Sequence, residues 1–206
     1  VLVKMDADGQ MHPDEMELLV DPVVRGLADY AKGNRFYVAG GTKPMPASRK
    51  FGGTVLSFMT KVASGYWHVF DAQCGYTAVR SNYLKMIELD RVARDYFFEN
   101  DMLIRMNTVG ARVVDIPAAT IYGTETSGVR IWRVALTFPG RLLRGWLRRI
   151  TRKYLITDFG AVGMLLVSSL LLVLFGSVFG AVRWVDSVAT GHPASTGTVM
   201  VAVLPL

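Results

Sequence analysis

The chain begins with a short apolar run, VLVKM, that breaks at once into DADGQ, a turn-like segment carrying two acids. A run of this length bounded by turn residues predicts a β-strand. PDEMELLV follows, with Pro13 placed where the first turn of a helix tolerates it, and predicts a helix. Further on, MLIRMNTVG predicts a helix stopped by Gly110, and ARVVDIP predicts another strand. Strands alternating with helices point to an α/β sheet. No internal repeat or low-complexity tract interrupts the pattern.

The last third of the chain has a different texture. Between Asp158 and Arg183 runs FGAVGMLLVSSLLLVLFGSVFGAV, uncharged and long enough to cross a hydrocarbon core of about 30 Å as a helix. It lies far from the first residue, so it is not a signal peptide. A polar link through His192, Pro193 and Ser195 precedes a second apolar run from Gly197, which predicts a membrane hairpin. On the N-terminal side of the first span, Arg130 to Lys153 contains Arg and Lys but no Asp or Glu. Positive charge beside a span marks the cytoplasmic side, which places residues 1–128 in the cytoplasm. Within the basic stretch, Leu142, Leu143, Trp146, Leu147, Ile150 and Tyr154 share one helical arc, while Arg141, Arg144, Arg148 and Arg152 oppose them. That pattern predicts a helix lying in the lipid interface, separated by Pro139-Gly140 from an earlier one over VRIWRVALTF.

Composition agrees with a membrane partner. Hydrophobic residues make up 51% of 206 positions and charged ones 19%, an apolar excess for a fully soluble domain. The net charge of +6 sits largely beside the predicted span, so anionic lipid rather than nucleic acid is the expected partner. Cys74 is the single cysteine, so no internal disulfide forms, in keeping with a reducing cytosol. Both ends of the chain fall inside apolar runs, and the expectation is a fragment of a longer protein.

Candidate chemistry begins where the first strand ends. Asp6 and Asp8 sit at the carboxyl end of a strand, where open α/β sheets bind ligands. With the Gln10 amide oxygen they offer hard donors, the kind Mg²⁺ or Mn²⁺ takes together with substrate phosphates and water. Other candidates are Arg35, whose fork of donors matches phosphate oxygens, and Arg49 and Lys50 in the Gly/Pro/Ser-rich stretch GGTKPMPASRKFGG, expected to be a loop.

Five segments in fixed order carry a resemblance: DADGQMHPDEM, DYAKGNRF, FDAQCGYTAVR, FENDMLIRMNTVGARVVDIP and YGTETS. Together they resemble family 2 glycosyltransferases of the dolichol-phosphate mannose and dolichol-phosphate glucose synthase kind. The resemblance implies a GT-A-like, Rossmann-related catalytic domain, here its C-terminal half over residues 1–128. Amphipathic interface helices over 129–158 and a transmembrane hairpin would follow, with spans over 159–183 and from 197 and a non-cytoplasmic loop over 184–196. The implied reaction moves a hexose, with inversion, from a nucleotide diphosphate sugar to a polyprenyl phosphate at the cytoplasmic face of the cell membrane.

The same resemblance implies site roles. Asp6, Asp8 and Gln10 would hold Mg²⁺ or Mn²⁺, with Asp6 also meeting the donor. Arg35, Arg49, Lys50 and Gln73 would meet phosphates or donor, and Asp71, in the D-x-Q-x-G segment with Gln73 and Gly75, would be one of the catalytic residues; the small Gly75 would let the backbone approach donor or acceptor closely. The catalytic or acceptor-orienting carboxylate would be Asp101 or Glu99, with Asp101 favoured. Either acid would also complement the positive N-terminal end of a helix. A phosphate acceptor is mostly dianionic at neutral pH, so the metal and the basic groups are expected to matter more than a general base.

Three rival readings stand beside this one. A polysaccharide or glycolipid hydroxyl acceptor fits the same fold, but the Q-x-x-R-W motif of processive enzymes is missing. A haloacid dehalogenase type phosphatase shares a D-x-D-G turn, but Gln10 stands where it needs Thr. A non-catalytic membrane adaptor would not require the acids. Homo-oligomerisation is left open by the sequence.

Overall fold

The computed structural model describes residues 1–37, 47–119 and 131–204, and within these the side chains of 47–51, 131–133 and 135 are not described. YGTETS, at Tyr122–Ser127, lies outside the described residues. The chain divides into two compact units, Val1–Arg152 and Lys153–Leu206.

The first unit is built on a four-stranded mixed sheet. Its strands are β1 (Leu2–Lys4), β2 (Tyr30–Asn34), β3 (Thr77–Val79) and β4 (Val113–Pro117), in the order β1-β3-β2-β4. β3 runs antiparallel to both β1 and β2, while β2 and β4 are parallel. The expected α/β class is therefore observed. β2 is buried along its whole length, as a central strand covered on both faces must be.

Two layers cover the sheet. On one face lies α1 (Met16–Val24), entered through the short helical turn Pro13–Glu15; Leu19 and Val23 pack on Ala31, Cys74, Tyr76 and Ala78. On the other, α3 (Ser81–Met86) and α4 (Phe98–Thr108) meet the sheet, and Met102, Leu103 and Met106 pack on Tyr30, Val79 and Val113. The alternation of a strand sends Tyr30, Lys32 and Asn34 to the α4 face and Ala31 to the α1 face. α4 ends as expected, with Gly110 just beyond it at a φ of 74°. It starts earlier than expected, so Glu99 and Asp101 stand inside its first turn rather than before it.

Two further helices form an outer layer over α4. α2 spans Ala47–Ser64 and α5 spans Ile131–Ile150. Three expectations change here. Arg49 and Lys50 fall in the first turn of α2, not in a loop. Pro139 does not divide α5: Phe138 and Leu142, on either side of it, are both anchored in a core with Ala63, Phe97 and Ile104, and this packing outweighs the lost helical hydrogen bond. The predicted apolar arc is also split, because Leu142 is buried against the protein while Leu143 and Leu147 are exposed. The close fit of α5 on α4 requires Gly145, where a Cβ would stand 2.6 Å from Ile104 Cδ1.

The second unit holds α6 (Ala161–Thr190) and α7 (Thr196–Val203), the former preceded by a π-helical stretch over Thr151–Thr157 that begins in the first unit. α6 is the one described helix long and apolar enough to cross a membrane. It runs past the expected end at residue 183 to Thr190, with Arg183 and Asp186 3.8 Å apart on the added turns, and Gly191, at a φ of 68°, closes it. Ser195 caps α7 by accepting from Thr198 N, and Ala202 faces Gly180 of α6. At eight residues, α7 as described is shorter than a span.

Candidate active site

One polar row crosses the sheet. The register pairs Lys4 with Thr77, Thr77 with Lys32, and Lys32 with Asp115. Paired residues point to the same face, so four polar side chains from four strands stand side by side under the N-terminal turn of α4. The site is built around this row.

At its β1 end the chain turns through Gly9, with a φ of 70°, and Asp8 Oδ1 accepts from Gln10 N at 3.1 Å. Asp8 is exposed and Asp6 partly so. Asp6 is held by Lys4, whose Nζ donates to Asp6 Oδ1 at 2.5 Å and to Glu99 Oε1 at 3.0 Å. Burial works against the Lys4 charge, but the hydrogen bonds and charges of Asp6 and Glu99 outweigh it, and its pKa is raised. Beneath them lies Gly75: a methyl group there would collide with the Asp6 carboxylate. Gly75 thus allows the close approach of the Asp6 side chain, a neighbour in the protein, where the D-x-Q-x-G segment led to the expectation of donor or acceptor.

The loop from Phe70 to Gly75 is pinned by the row. Asp115 Oδ2 accepts from Phe70 N at 2.9 Å and from Asn34 Nδ2 at 2.6 Å, and Lys32 Nζ donates to Cys74 O. Burial lowers the Lys32 pKa, and it raises that of Asp115. Burial also pushes the Cys74 thiol up, as expected of a packing cysteine. Between these ties, Asp71 takes Arg35 in a fork: Nε to Oδ2 at 2.7 Å and Nη2 to Oδ1 at 2.9 Å, with Arg35 N on Oδ2 at 3.1 Å. Gln73 Nε2 reaches Asn100 Oδ1 at 2.8 Å.

Successive residues of α4, about 100° apart around the helix, address three different neighbours. Glu99 faces Lys4 and through it Asp6. Asn100 joins Gln73 and Thr60 of α2. Asp101 is buried, with Oδ2 on Arg105 Nε at 2.9 Å and on Ala93 N at 3.1 Å, and Oδ1 on Arg148 Nη2 of α5 at 2.6 Å. The structure therefore brings Glu99, Asp6 and Gly75 together and turns the favoured Asp101 to the docking of α5. Lys4, Lys32 and Asp115 were absent from the sequence candidates. A period of two from Asp6 back through Lys4 was the available signal.

Among the described residues no group of three or more His, Cys, Asp or Glu stands together as a metal cage. The donor set after β1 still suits a hard cation: two carboxylates and an amide oxygen on a tight turn resemble the one- or two-carboxylate sites that Mg²⁺ completes with substrate phosphate and water.

No family model matches the chain. Among curated proteins it is similar to a UDP-N-acetylglucosamine–dolichyl-phosphate N-acetylglucosaminyltransferase of Methanococcus voltae, with 32% identity over 67% of this chain and 54% of that protein. An undecaprenyl-phosphate mannosyltransferase of Micrococcus luteus is 34% identical over 57% of this chain and 47% of its own length. A polyprenol monophosphomannose synthase of Mycolicibacterium smegmatis is 35% identical over 57% and 44% respectively. The chain is thus similar to glycosyltransferases named for acting on polyprenyl phosphates. It spans about half the length of the curated relatives it matches.

Proposed function

We propose that the protein carrying this chain transfers a hexose, with inversion, from a nucleotide diphosphate sugar to a polyprenyl phosphate at the cytoplasmic membrane face. One observation carries the reading. The acidic turn after β1, the Asp71–Gly75 loop and the first turn of α4 converge on one point, in a chain whose relatives are named for moving sugars onto polyprenyl phosphates.

The residues divide the work. Asp6, Asp8 and Gln10 would hold Mg²⁺ or Mn²⁺, which would neutralise charge on the leaving diphosphate. Asp71 fixes the plane of the Arg35 guanidinium, which presents a positive charge to phosphate at no reorganisation cost. Glu99, on the side of Asp6, orients sugar or acceptor groups. The acceptor phosphate, mostly a dianion, attacks the anomeric carbon without needing a strong base. Gln73 and Gly75 shape the floor, and Arg49 and Lys50 at the start of α2 add positive charge.

Localisation follows the same logic. α6 crosses the bilayer, and α5 lies at the headgroups with Leu136, Leu143 and Leu147 exposed beside Arg144. A lipid-linked acceptor keeps its tail in the membrane, so its phosphate is met at that depth.

The test incubates membranes containing the protein with labelled UDP- and GDP-sugars, polyprenyl phosphate and Mg²⁺ or Mn²⁺, with Asp8→Ala as control. Lipid-linked label that depends on Asp8 is expected. Absence of product with every donor, or equal activity of the variant, would sink the proposal.

A further inference from the structure

We propose that Lys4 is a built-in competitor for the cation site, an internal ammonium that holds Asp6 and Glu99 together and sets how tightly a divalent ion binds there. The inference rests on the cation role proposed for Asp6 and Asp8.

Four contacts single Lys4 out. Its Nζ lies 2.5 Å from Asp6 and 3.0 Å from Glu99, bridging a strand end to a helix start. It lies 5.3 Å from the centre of the Phe98 ring, a further attraction for a cation. It also reaches Gly75 O at 3.4 Å, so one ammonium touches all three segments of the site. Without it, two carboxylates would face each other across a small space and repel. A divalent ion arriving at Asp6 therefore meets an oxygen already engaged and a positive charge beside it. Binding is weakened by both, which keeps the ion exchangeable.

The measurement is Mn²⁺ binding followed by electron paramagnetic resonance, on the detergent-solubilised protein at its natural length and without substrates. Lys4→Met is expected to bind Mn²⁺ roughly tenfold tighter, the scale of removing a unit charge close to a divalent ion in a partly solvated site. Lys4→Gln is expected to shift the same way, and Lys4→Arg to stay near wild type. A merely structural role for Lys4 would loosen the site and weaken binding, the opposite sign. Unchanged or weaker binding in folded Lys4→Met overturns the inference; should that variant not fold, Lys4→Gln is read by the same criterion. Asp8→Ala is expected to abolish binding. Absence of Mn²⁺ binding in wild type would remove the cation reading itself, and the role of Lys4 with it, an outcome distinct from a wild type that binds and a Lys4→Met that gains nothing.

Discussion

Arg35 and Asp71 form a two-pronged ion pair in which the carboxylate is almost wholly buried and the guanidinium keeps about a fifth of its surface in solvent. Geometry of this kind fixes the orientation of a cation, and orientation is what a phosphate site needs. Asp71, expected among the catalytic groups, has both carboxylate oxygens on an arginine.

Asp71→Asn should therefore leave Arg35 without its fork partner. A loss of about 2–3 kcal/mol in stability is expected, below the range for fully buried pairs because Arg35 is partly solvated. Sugar transfer should fall by about 10–100-fold. Thermal unfolding and initial rates check this, and a variant with full activity would contradict the role given to Arg35.

Glu99 and Asp101 should separate cleanly. Asp101→Ala strands Arg105 and Arg148, so a loss of about 3 kcal/mol in stability is expected. Glu99→Gln, whose side chain is at the site and whose main partner is Lys4, should keep stability within about 1 kcal/mol and lose most turnover. Denaturant unfolding beside turnover of each variant decides it, and the reverse pattern would restore Asp101 as the acting carboxylate.

Gly75→Ala tests the floor of the site. The added methyl collides with the Asp6 carboxylate, the movable end of a partly exposed side chain. The fold should survive with a small change in melting temperature, while activity falls by about 100-fold as Asp6 is displaced. Wild-type activity in this variant would show that Asp6 works from another position.

The acids predict opposite pH behaviour. Burial opposes the charge of Asp29, but hydrogen bonds and charge from Arg112 outweigh it, and its pKa lies below the ordinary 3.8. The stability it contributes is complete above that value and is lost as pH falls through the lower folded one. Asp115 has its pKa raised above 3.8 by burial, so folding favours its protonated form. Its ionisation costs stability as pH rises from 3.8 through the folded value, and the cost persists at neutral pH. Asp115→Asn should flatten the decline above pH about 4, and Asp29→Asn should remove stability at neutral pH; unfolding curves from pH about 3 to 8 show both.

Much of this was visible in the sequence where local chemistry decides. The strand before Asp6, the acidic turn, the stop at Gly110 and the apolar run of α6 follow from short-range pattern. What stayed hidden depends on long-range placement. Whether Glu99 or Asp101 faces the site is set by how α4 is rotated against β1 and α5, and sequence spacing cannot fix that rotation. The arginines of α5 were expected to face lipid. Instead Arg141 meets Asp95, Arg148 meets Asp101, and Arg149 is buried on the carbonyls of Val62 and Ala63. Amphipathic periodicity reports two faces of a helix and is silent on which neighbour covers each.

The row Lys4–Thr77–Lys32–Asp115 also bears on how the sheet assembles. A slip of β2 by one residue would exchange its two faces and drive Lys32 in among Leu19, Val23, Tyr76 and Ala78. An unpaired ammonium there costs several kcal/mol, more than any gain from a shifted pairing of so short a strand. The buried ammonium of Lys32 thus also serves as a registration key for the sheet, making a misaligned pairing of β2 costly.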